Sequence, residues 1–342
     1  MHELAPRIAA YVRGRLPQAA EIEVFDVERI HGGASRETYR LRLRYREDSQ
    51  PIERRLILRR DPPGSLIETD RAIEFAAYRA FRDTTVPVPE ALWLEDDPSH
   101  LDYPFFVMEE LSGFDASPSN ILLPPYAAHH EKLAQQKWSI LGAIALADPE
   151  KLGLVGIMKP IAPADAWRRE LDHWTGVIDE DELAPQPIIR AAIRYLRRNP
   201  PPAPARLHVV HGDYRTGNFL YDKEGCVRGI LDWEMAHLGD PLEDLAWSLN
   251  RVWCWARDGR VGGLTSKEHA IRIWEASSGL RADPEALRWW ELFSSVKGQA
   301  IWISSGREYQ NGKNKDPVLA LSGWWLMNAQ DRAALETLGK LG

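Results

Sequence analysis

HGDYRTGNFLYD (residues 211–222) and LDWEMAHLGDPLEDLA (residues 231–246) carry the strongest chemical signal in this chain. Four residues separate Asp213 from Asn218, and Asp232 follows 14 residues later, at the end of an apolar run. Phosphoryl transfer needs a carboxylate that accepts the proton of the acceptor hydroxyl, together with oxygen ligands that hold magnesium. Mg²⁺ takes a few protein oxygens and completes its coordination with water and phosphate. The pattern therefore predicts a phosphoryl-transfer site.

The two segments together read HGDxxxxN followed by LDWExAxxGDPxxDLA, and this pattern resembles the aminoglycoside phosphotransferase-like family, which has a protein-kinase-like fold. The Asp-x4-Asn spacing equals that of the protein-kinase catalytic loop, with His-Gly-Asp in place of His-Arg-Asp. The resemblance extends along nearly the whole chain. It implies that Asp213 is the catalytic base and that Asn218 and Asp232 bind magnesium. The alternative is an acidic hairpin that only stabilises its own turns.

The first third of the chain has the pattern of a small antiparallel sheet. A helix is expected from residue 4 to about residue 17, followed by strands between residues 22 and 58. Within them, TYRLRLRY at 38–45 alternates large apolar and basic residues, which is typical of a half-buried strand. A helix from about 68 to 81 and two short strands, ALWLE and PFFVMEEL, complete this part.

The rest of the chain is mostly helical. Two short apolar strands, LHVVH (207–211) and VRGILDW (227–233), are expected to form one hairpin around the polar cluster. The expected fold class is α+β, a protein-kinase-like two-lobed fold with a small antiparallel-sheet N-lobe (residues 1–111) and a larger, mostly helical C-lobe (residues 112–342). A cleft between two such parts is a usual place for a ligand.

Several N-terminal residues match the nucleotide-binding parts of the family in order. The resemblance implies that Gly32, Gly33 and Ser35 form a loop over the phosphates, where glycine permits close backbone approach. A plain hairpin turn is the alternative. Arg59 stands where the family usually has a nucleotide-contacting lysine, and Glu74 stands where a helix glutamate pairs with that cation. Arginine keeps the charge but offers phosphate a bidentate fork.

The segment around Arg59, LRRDPPG, resembles a subgroup related to phosphotransferase domains fused to acyl-CoA dehydrogenases, so arginine is expected there as a subgroup feature. Arg60 lies on the opposite face of the strand and is expected in solvent. PFFVMEEL would run into the hinge of the family fold. Met108 would then border adenine, and the backbones of Glu109 and Leu111 would bond its edge.

GDPLEDLAW (239–247) has the pattern of a helix start. Asp240 suits the N-cap, Pro241 the first position and Glu243 the third, which predicts a capping box. The family resemblance adds that Asp240 and Asp244 brace the catalytic loop.

Composition argues against several classes of protein. The chain has 43 basic and 50 acidic residues, a net charge of −7 that is unfavourable for a nucleic-acid binder. Its two cysteines, Cys226 and Cys254, make neither a disulfide framework nor a zinc site. The start lacks the apolar core of a secretory signal, and no run approaches the roughly 18 apolar residues of a membrane span. We expect a cytoplasmic monomer or homodimer that binds neither nucleic acid nor membrane.

Other catalytic classes fit less well. His208 and His211 are three apart in a predicted strand, so their side chains face opposite ways and cannot easily share one metal. GREYQNGKN at 306–314 has the wrong spacing for a P-loop, and neither GxSxG nor GxGxxG occurs. GDPLEDLAW begins seven residues after Asp232, which leaves no room for the long activation segment of a protein kinase.

The acceptor is harder to predict than the donor, for which ATP and Mg²⁺ are expected. Residues 250–342 contain 13 Lys and Arg against 10 Asp and Glu, an excess that disfavours a polycationic aminoglycoside and favours a neutral or anionic hydroxylated small molecule, such as a hydroxyacyl-CoA. Two alternatives remain, an antibiotic O-phosphotransferase and a nucleotide-binding pseudokinase scaffold. Residues that could meet the acceptor, if they are not ordinary core or solvated loop, are Trp289, Trp290, Trp302, Trp324, Trp325, Arg307, Lys313 and Lys315.

Overall fold

An antiparallel sheet of five strands, in the order β1-β2-β3-β5-β4, dominates the first third of the chain. The structure is a computed structural model that describes residues 4–30, 37–62, 71–256, 258–312 and 317–340. The elements of this part are α1 (Leu4–Arg15), β1 (Ala20–Ile30), β2 (Glu37–Glu47), β3 (Gln50–Arg60), α2 (Arg71–Phe81), β4 (Ala91–Glu95) and β5 (Phe105–Glu109).

The alternation in β2 decides which face of the sheet is covered. Leu41 and Leu43 point to one face and are buried with Ile8 and Val12 of α1, so sheet and helix share a core. The arginines between them lie on the other face. Since successive side chains of a strand point to opposite faces, the register Leu41↔Leu56 continues this apolar face into β3.

One expectation about β3 is wrong. Arg60 is buried rather than solvated, and it donates hydrogen bonds to the carbonyl oxygen of Leu101 (2.9 Å), to Glu37 (2.6 Å) and to the Tyr39 hydroxyl (3.1 Å). Its guanidinium also lies over the Tyr39 ring, 5.1 Å from the centroid. The strand pattern alone does not show that a carboxylate, a hydroxyl and a carbonyl surround this position.

The second part of the chain is mainly helical. Its helices are α3 (His130–Leu146), α4 (Ala166–Asp181), α5 (Pro187–Arg198), α6 (Pro241–Leu249), α7 (Lys267–Ser278), α8 (Pro284–Gln310) and α9 (Pro317–Thr337). Its strands are β6 (His208–Val210), β7 (Phe219–Tyr221), β8 (Val227–Ile230) and β9 (His237–Gly239). Among the described residues, no helix has the length and apolarity needed to cross a membrane.

The expected hairpin of β6 with β8 is also wrong. β7 pairs with β8, while β6 pairs with β9, which follows the LDWE segment. Both pairs are antiparallel. The loop that contains Asp213 connects β6 of one pair with β7 of the other. This arrangement brings residues 211–218 and 231–236 next to each other, because each segment lies between two paired strands.

Tryptophan builds much of the helical core. Trp290 is fully buried and Trp289 nearly so, which makes them core residues rather than the lining of an open pocket. Trp324 and Trp325 of α9 are exposed, and 69% of Trp324 is accessible to solvent. Arg307 forms an ion pair with Asp181 of α4 and donates a hydrogen bond to the carbonyl oxygen of Glu180. Lys313 and Lys315 fall outside the described residues.

α8 and α9 approach each other most closely at two glycines. A Cβ atom added to Gly323 would lie 3.0 Å from the Cα atom of Gly306 and 3.1 Å from the carbonyl oxygen of Trp302. Both of these atoms belong to the α8 backbone, which cannot rotate away as a side chain can. The close crossing holds α8 in place, and α8 carries residues that reach the site described below.

We expect Gly323→Ala to lower the free energy of unfolding by about 1–3 kcal/mol, the usual range for overpacking against an unyielding neighbour. Gly176→Ala is the matched control, since Gly176 lies within α4 with open space around its Cβ position. That change should raise stability by about 1 kcal/mol through helix propensity. Chemical denaturation of the two variants measures the contrast, and equal stabilisation of both would contradict a tight crossing.

Candidate active site

The backbone of the loop His211–Gly212–Asp213 is held by a buried carboxylate from α6. Asp244 accepts hydrogen bonds from the backbone N–H groups of His211 (2.6 Å) and Gly212 (2.9 Å). Burial raises the pKa of Asp244 to about 6. Gly212 has φ +86°, and a Cβ atom there would lie 2.3 Å from the carbonyl oxygen of Met235, so only glycine fits this turn. The loop is thus fixed by its backbone before its side chains are considered.

His211 supports the same loop as a neutral imidazole. Its Nε2 atom lies 2.9 Å from the carbonyl oxygen of Leu231, and its Nδ1 atom accepts the backbone N–H of Asp213 at 3.1 Å. Those partners require a proton on Nε2 and a lone pair on Nδ1. Burial lowers the pKa of His211 to about 4, which agrees with the neutral form. The imidazole therefore ties the loop of residues 211–213 to the segment before Asp232.

The carboxylate of Asp213 receives three donors. Asn218 Nδ2 donates to Oδ2 at 2.6 Å, and Trp247 Nε1 of α6 donates to Oδ1 at 2.7 Å. Arg215 Nε lies 3.1 Å from Oδ1 and 3.2 Å from Oδ2. Three donors hold the carboxylate in one orientation.

Asn218 and Asp232 present oxygen atoms beside that carboxylate. The amide nitrogen of Asn218 is used on Asp213, so its Oδ1 atom is the group left for a cation. Asp232 adopts the left-handed conformation, with φ +68° and ψ +54°, and its N–H donates to the Tyr78 hydroxyl at 2.9 Å. Left-handed backbone at a non-glycine residue is held by surrounding contacts and is common at functional sites. The backbone also links Asn218 to the segment of Asp232. The N–H of Leu231, the residue before Asp232, donates to the carbonyl oxygen of Asn218 at 2.8 Å.

Arg59 reaches the same corner from the sheet. It forms an ion pair with the fully buried Glu74 of α2, and its guanidinium nitrogens lie 3.4 Å from Asp232 Oδ1 and 3.3 Å from Glu234 Oε2. Burial opposes the charge of Arg59, but the three carboxylates outweigh it and hold its pKa above the usual value.

Arg59 thus meets three carboxylates at this corner, and Asn218 and Asp232 present oxygen atoms there. The donor set is all oxygen, as Mg²⁺ prefers. The side chains of Asn218 and Asp232 therefore fit the magnesium ligands that the sequence predicts.

A cleft of about 570 Å³ lies between the sheet and the second part of the chain. Its apolar walls come from both parts: Ile57, Pro89, Met108, Leu220 and Leu231. Within the described ranges, the backbone N–H of Leu111 has no hydrogen-bond partner, and Leu111 and Glu109 both line the cleft. Apolar walls with a backbone donor at their edge suit a purine base.

The predicted site residues thus fall into two groups. Asp213, Asn218, Asp232, Arg59 and Glu74 converge at one corner, and Met108, Glu109 and Leu111 line the cleft, whose wall also includes Leu231, the residue before Asp232. Gly32, Gly33 and Ser35 fall outside the described residues.

A buried network of charged residues behind the loop of residues 211–213 was not predicted from the sequence. Lys297 of α8, only 1% exposed, donates to the carbonyl oxygen of Gly212 at 2.6 Å and to Glu243 at 3.0 Å. Glu243 also accepts from His237 Nε2 at 3.1 Å. The predicted capping box is therefore wrong, because Glu243 turns inward. Asp240 does cap α6 by accepting from Leu242 (2.9 Å), but it bonds Trp290 rather than the catalytic loop.

Glu170, His237 and Glu243 lie close enough to hold a metal ion, yet the cluster already has its own cations. Both ring nitrogens of His237 face acceptors, the Met235 carbonyl oxygen at 2.9 Å and Glu243, so the ring is an imidazolium. Burial opposes that charge, but Glu170 and Glu243 raise the pKa of His237 to about 9. Lys297 adds a second positive charge. These carboxylates are neutralised by protonated side chains, which makes the cluster a structural network.

Arg215, Trp247 and Tyr78 also contact the predicted residues without having been singled out. Arg215 could have been found, since it is two residues from Asp213 in the same loop. Trp247 and Lys297 are 34 and 84 residues away from Asp213 in sequence, and nothing in their own segments marks them as neighbours of the loop.

Replacing Lys297 by Met would leave Glu243 buried with only His237 beside it and the Gly212 carbonyl oxygen without its donor. Breaking a buried pair on one side costs about 3–5 kcal/mol, and we expect a loss of that size in urea unfolding. Lys151→Met is the control, because Lys151 is 84% exposed and should change stability little. Similar losses in both variants would contradict this role for the buried ammonium.

Comparisons with known proteins identify the family of this chain. The sequence model of a family described as a phosphotransferase enzyme family (APH) matches residues 26–290. Acyl-CoA dehydrogenase family member 10 of Mus musculus is 32% identical over 220 residues, which cover 63% of this chain and 19% of that protein. The chain therefore spans about a fifth of the length of this relative.

Solved structures share the fold. A Ralstonia eutropha protein described as a candidate aminoglycoside phosphotransferase has a TM-score of 0.75 at 20% identity, with 98% of both chains covered. The aminoglycoside phosphotransferase APH(4)-Ia, in a ternary complex with AMP-PNP and hygromycin B, has a TM-score of 0.58 at 18% identity and covers 96% of this chain and 99% of its own. These likenesses confirm the expected two-lobed α+β fold. With the family match over most of its length, the chain belongs to the phosphotransferase enzyme family.

Proposed function

We propose that this protein transfers the γ-phosphate of ATP to a hydroxyl group of a small metabolite, with a hydroxyacyl-CoA-like molecule as the favoured acceptor. One observation carries the proposal: the Asp213 carboxylate and the Asn218 amide are in contact beside a corner where Asp232 meets Arg59. The predicted proton acceptor, the two predicted oxygen ligands and a cation suited to phosphate thereby lie at one corner, next to Leu231 of the cleft wall.

In this proposal the nucleotide lies between residues 1–111 and 112–342. The purine base occupies the apolar slot beside Met108, with its edge bonded to the backbone of Glu109 and Leu111. Arg59 contacts the phosphates from the sheet. Gly32, Gly33 and Ser35 lie outside the described residues and keep the phosphate-binding role that the family resemblance implies for them. AMP-PNP in the related APH(4)-Ia complex supports the use of a nucleoside triphosphate.

Asn218 and Asp232 would hold magnesium, which neutralises charge on the phosphates when it is bound. Glu74 contributes indirectly. By pairing with Arg59 it orients the guanidinium, and being fully buried it cannot itself reach solvent or phosphate. Arg59 thus serves both the nucleotide and the carboxylate of Asp232.

Asp213 accepts the proton of the acceptor hydroxyl as that oxygen attacks the γ-phosphorus. The new bond is acceptor oxygen to γ-phosphorus, the broken bond is γ-phosphorus to the bridging oxygen, and ADP leaves with that oxygen. Trp247 and Asn218 hold the carboxylate in place for this step. Such a positioned base contributes about 10²–10⁴ to the rate.

The choice of acceptor rests on charge and on relatives. The guanidinium of Arg215 lies beside the proposed base, which is unfavourable for a polycation. The likeness to acyl-CoA dehydrogenase family members supports a hydroxyacyl-CoA. The hygromycin B complex of APH(4)-Ia supports the alternative, an antibiotic O-phosphotransferase. Release of ADP from Mg-ATP, measured across hydroxyacyl-CoAs, amino alcohols, sugars and aminoglycosides, decides between them. ATP binding without acceptor-dependent release would favour a pseudokinase scaffold.

Asp213→Asn should lower kcat by about 10²–10⁴, since an amide cannot accept the hydroxyl proton while its size and most contacts remain. The dissociation constant for ATP, measured by calorimetry, should change less than twofold, because Asp213 is not placed on the nucleotide. Normal turnover in this variant would show that another group acts as the base.

Asp232→Asn should instead remove the magnesium dependence of ATP binding. In the unaltered protein, chelation of magnesium by EDTA should weaken ATP binding, whereas the variant should bind equally weakly with and without EDTA. Asp222→Asn is a control of the same chemistry, because Asp222 bonds Arg228 and its own turn instead of this corner. Retained magnesium dependence in Asp232→Asn would exclude this residue as a ligand.

A further inference from the structure

A chain of aromatic side chains in contact with one another starts at the Asp213 carboxylate, and its first two members, Trp247 and Trp253, are buried. Trp247, whose indole N–H donates to that carboxylate, lies with its ring centroid 5.0 Å from that of Trp253. Trp302 of α8 follows at 6.1 Å from Trp253, edge to face. The guanidinium carbon of Arg215 sits 4.8 Å from the centroid of the Trp253 ring. We call Trp253, Trp302 and Arg215 the tryptophan wall.

Two polar groups of the wall have no partner. The indole N–H groups of Trp253 and Trp302 are buried, and neither meets an acceptor within the part of the chain that the structure describes. Buried donors are nearly always satisfied, so an unsatisfied pair beside a catalytic group indicates a missing oxygen atom, from water or from a ligand. Trp174 and Trp274 also lack acceptors. Among the described residues, the unpartnered indoles that ring-to-ring contacts join to the Asp213 partner Trp247 are those of Trp253 and Trp302.

The chemistry of the tryptophan wall narrows the class of ligand that it could bind. Indole rings offer apolar faces, and an indole N–H can only donate, so it requires an oxygen acceptor. Arg215 adds one positive charge, and its side chain is 27% exposed. An aminoglycoside, rich in ammonium groups, would meet donors and a cation here. An acyl chain with a carbonyl oxygen matches both the apolar faces and the donors.

We infer that the tryptophan wall is the acceptor subsite and that it recognises an acyl thioester, with the alkyl chain on the indole faces and the carbonyl oxygen on an indole N–H. The inference rests on the proposed function and deepens it, because it assigns acceptor specificity to Trp253 and Trp302. The wall adjoins the base, so the hydroxyl of such an acyl chain lies near Asp213 while the carbonyl oxygen is held a few bonds away.

Trp253→Phe and Trp302→Phe test the inference, since phenylalanine keeps an aromatic face and removes the N–H. The probe is butyryl-CoA, which has no hydroxyl and cannot be phosphorylated, titrated by calorimetry in the presence of AMP-PNP. We expect at least one of the two variants to bind butyryl-CoA about tenfold more weakly, and the affinity for AMP-PNP to change less than twofold. Trp274→Phe is the control, because it removes a buried, unpartnered indole in α7, outside the wall, and should leave butyryl-CoA binding unchanged.

The outcomes separate this inference from the proposed function. Failure of butyryl-CoA to bind at millimolar concentration, or unchanged binding in both wall variants, would overturn the inference even if ADP release is found with another acceptor. Tenfold weaker binding in a wall variant with no ADP release from any acceptor would support the wall and count against catalysis. Equal loss in Trp274→Phe would show that the effect is general destabilisation, and would also overturn the assignment.

Discussion

The backbone of residues 211–213 is held from two sides, and the rest of the site depends on that clamp. Asp244 takes the N–H groups of His211 and Gly212, and Lys297 takes the carbonyl oxygen of Gly212. Both clamping residues are buried, where hydrogen bonds to charged groups are strong and their loss is costly. The carboxylate of Asp213 can then be oriented by its own donors, because the backbone beneath it is hydrogen-bonded on both sides.

The guanidinium at position 59 connects the sheet to this loop region. It contacts Glu74 on α2 together with Asp232 and Glu234. A shift of α2 would therefore move the guanidinium relative to the carboxylate of Asp232. A lysine has one nitrogen for these partners, whereas arginine spreads its charge over a planar fork. This geometry gives arginine here a physical basis, since its planar fork can reach three carboxylates at once.

Much of the fold and the centre of the site could be predicted. The contact between Asp213 and Asn218 follows from five residues of one loop, and the buried face of β2 follows from its alternation. The pairing of β6 with β9 could not be read from the segments, because each strand is only three residues long and its partner is set by packing. Arg60 and Glu243 were misplaced for the same reason. Their surroundings come from distant elements, and a polar residue in an amphipathic pattern looks solvated until those elements are known.

The sequence by itself determined which groups can carry the chemistry: a carboxylate, an amide and a second carboxylate, at spacings that local backbone geometry turns into one cluster. It also determined the family to which the chain belongs. Only the tertiary structure decided what holds and surrounds that cluster. Lys297 reaches Gly212, and Trp302 meets Trp253, because α8 crosses behind and beside the loop, held there by the close contact of Gly306 with Gly323. Contacts between residues far apart in the chain depend on how whole helices pack, and short sequence spacings carry no record of that packing.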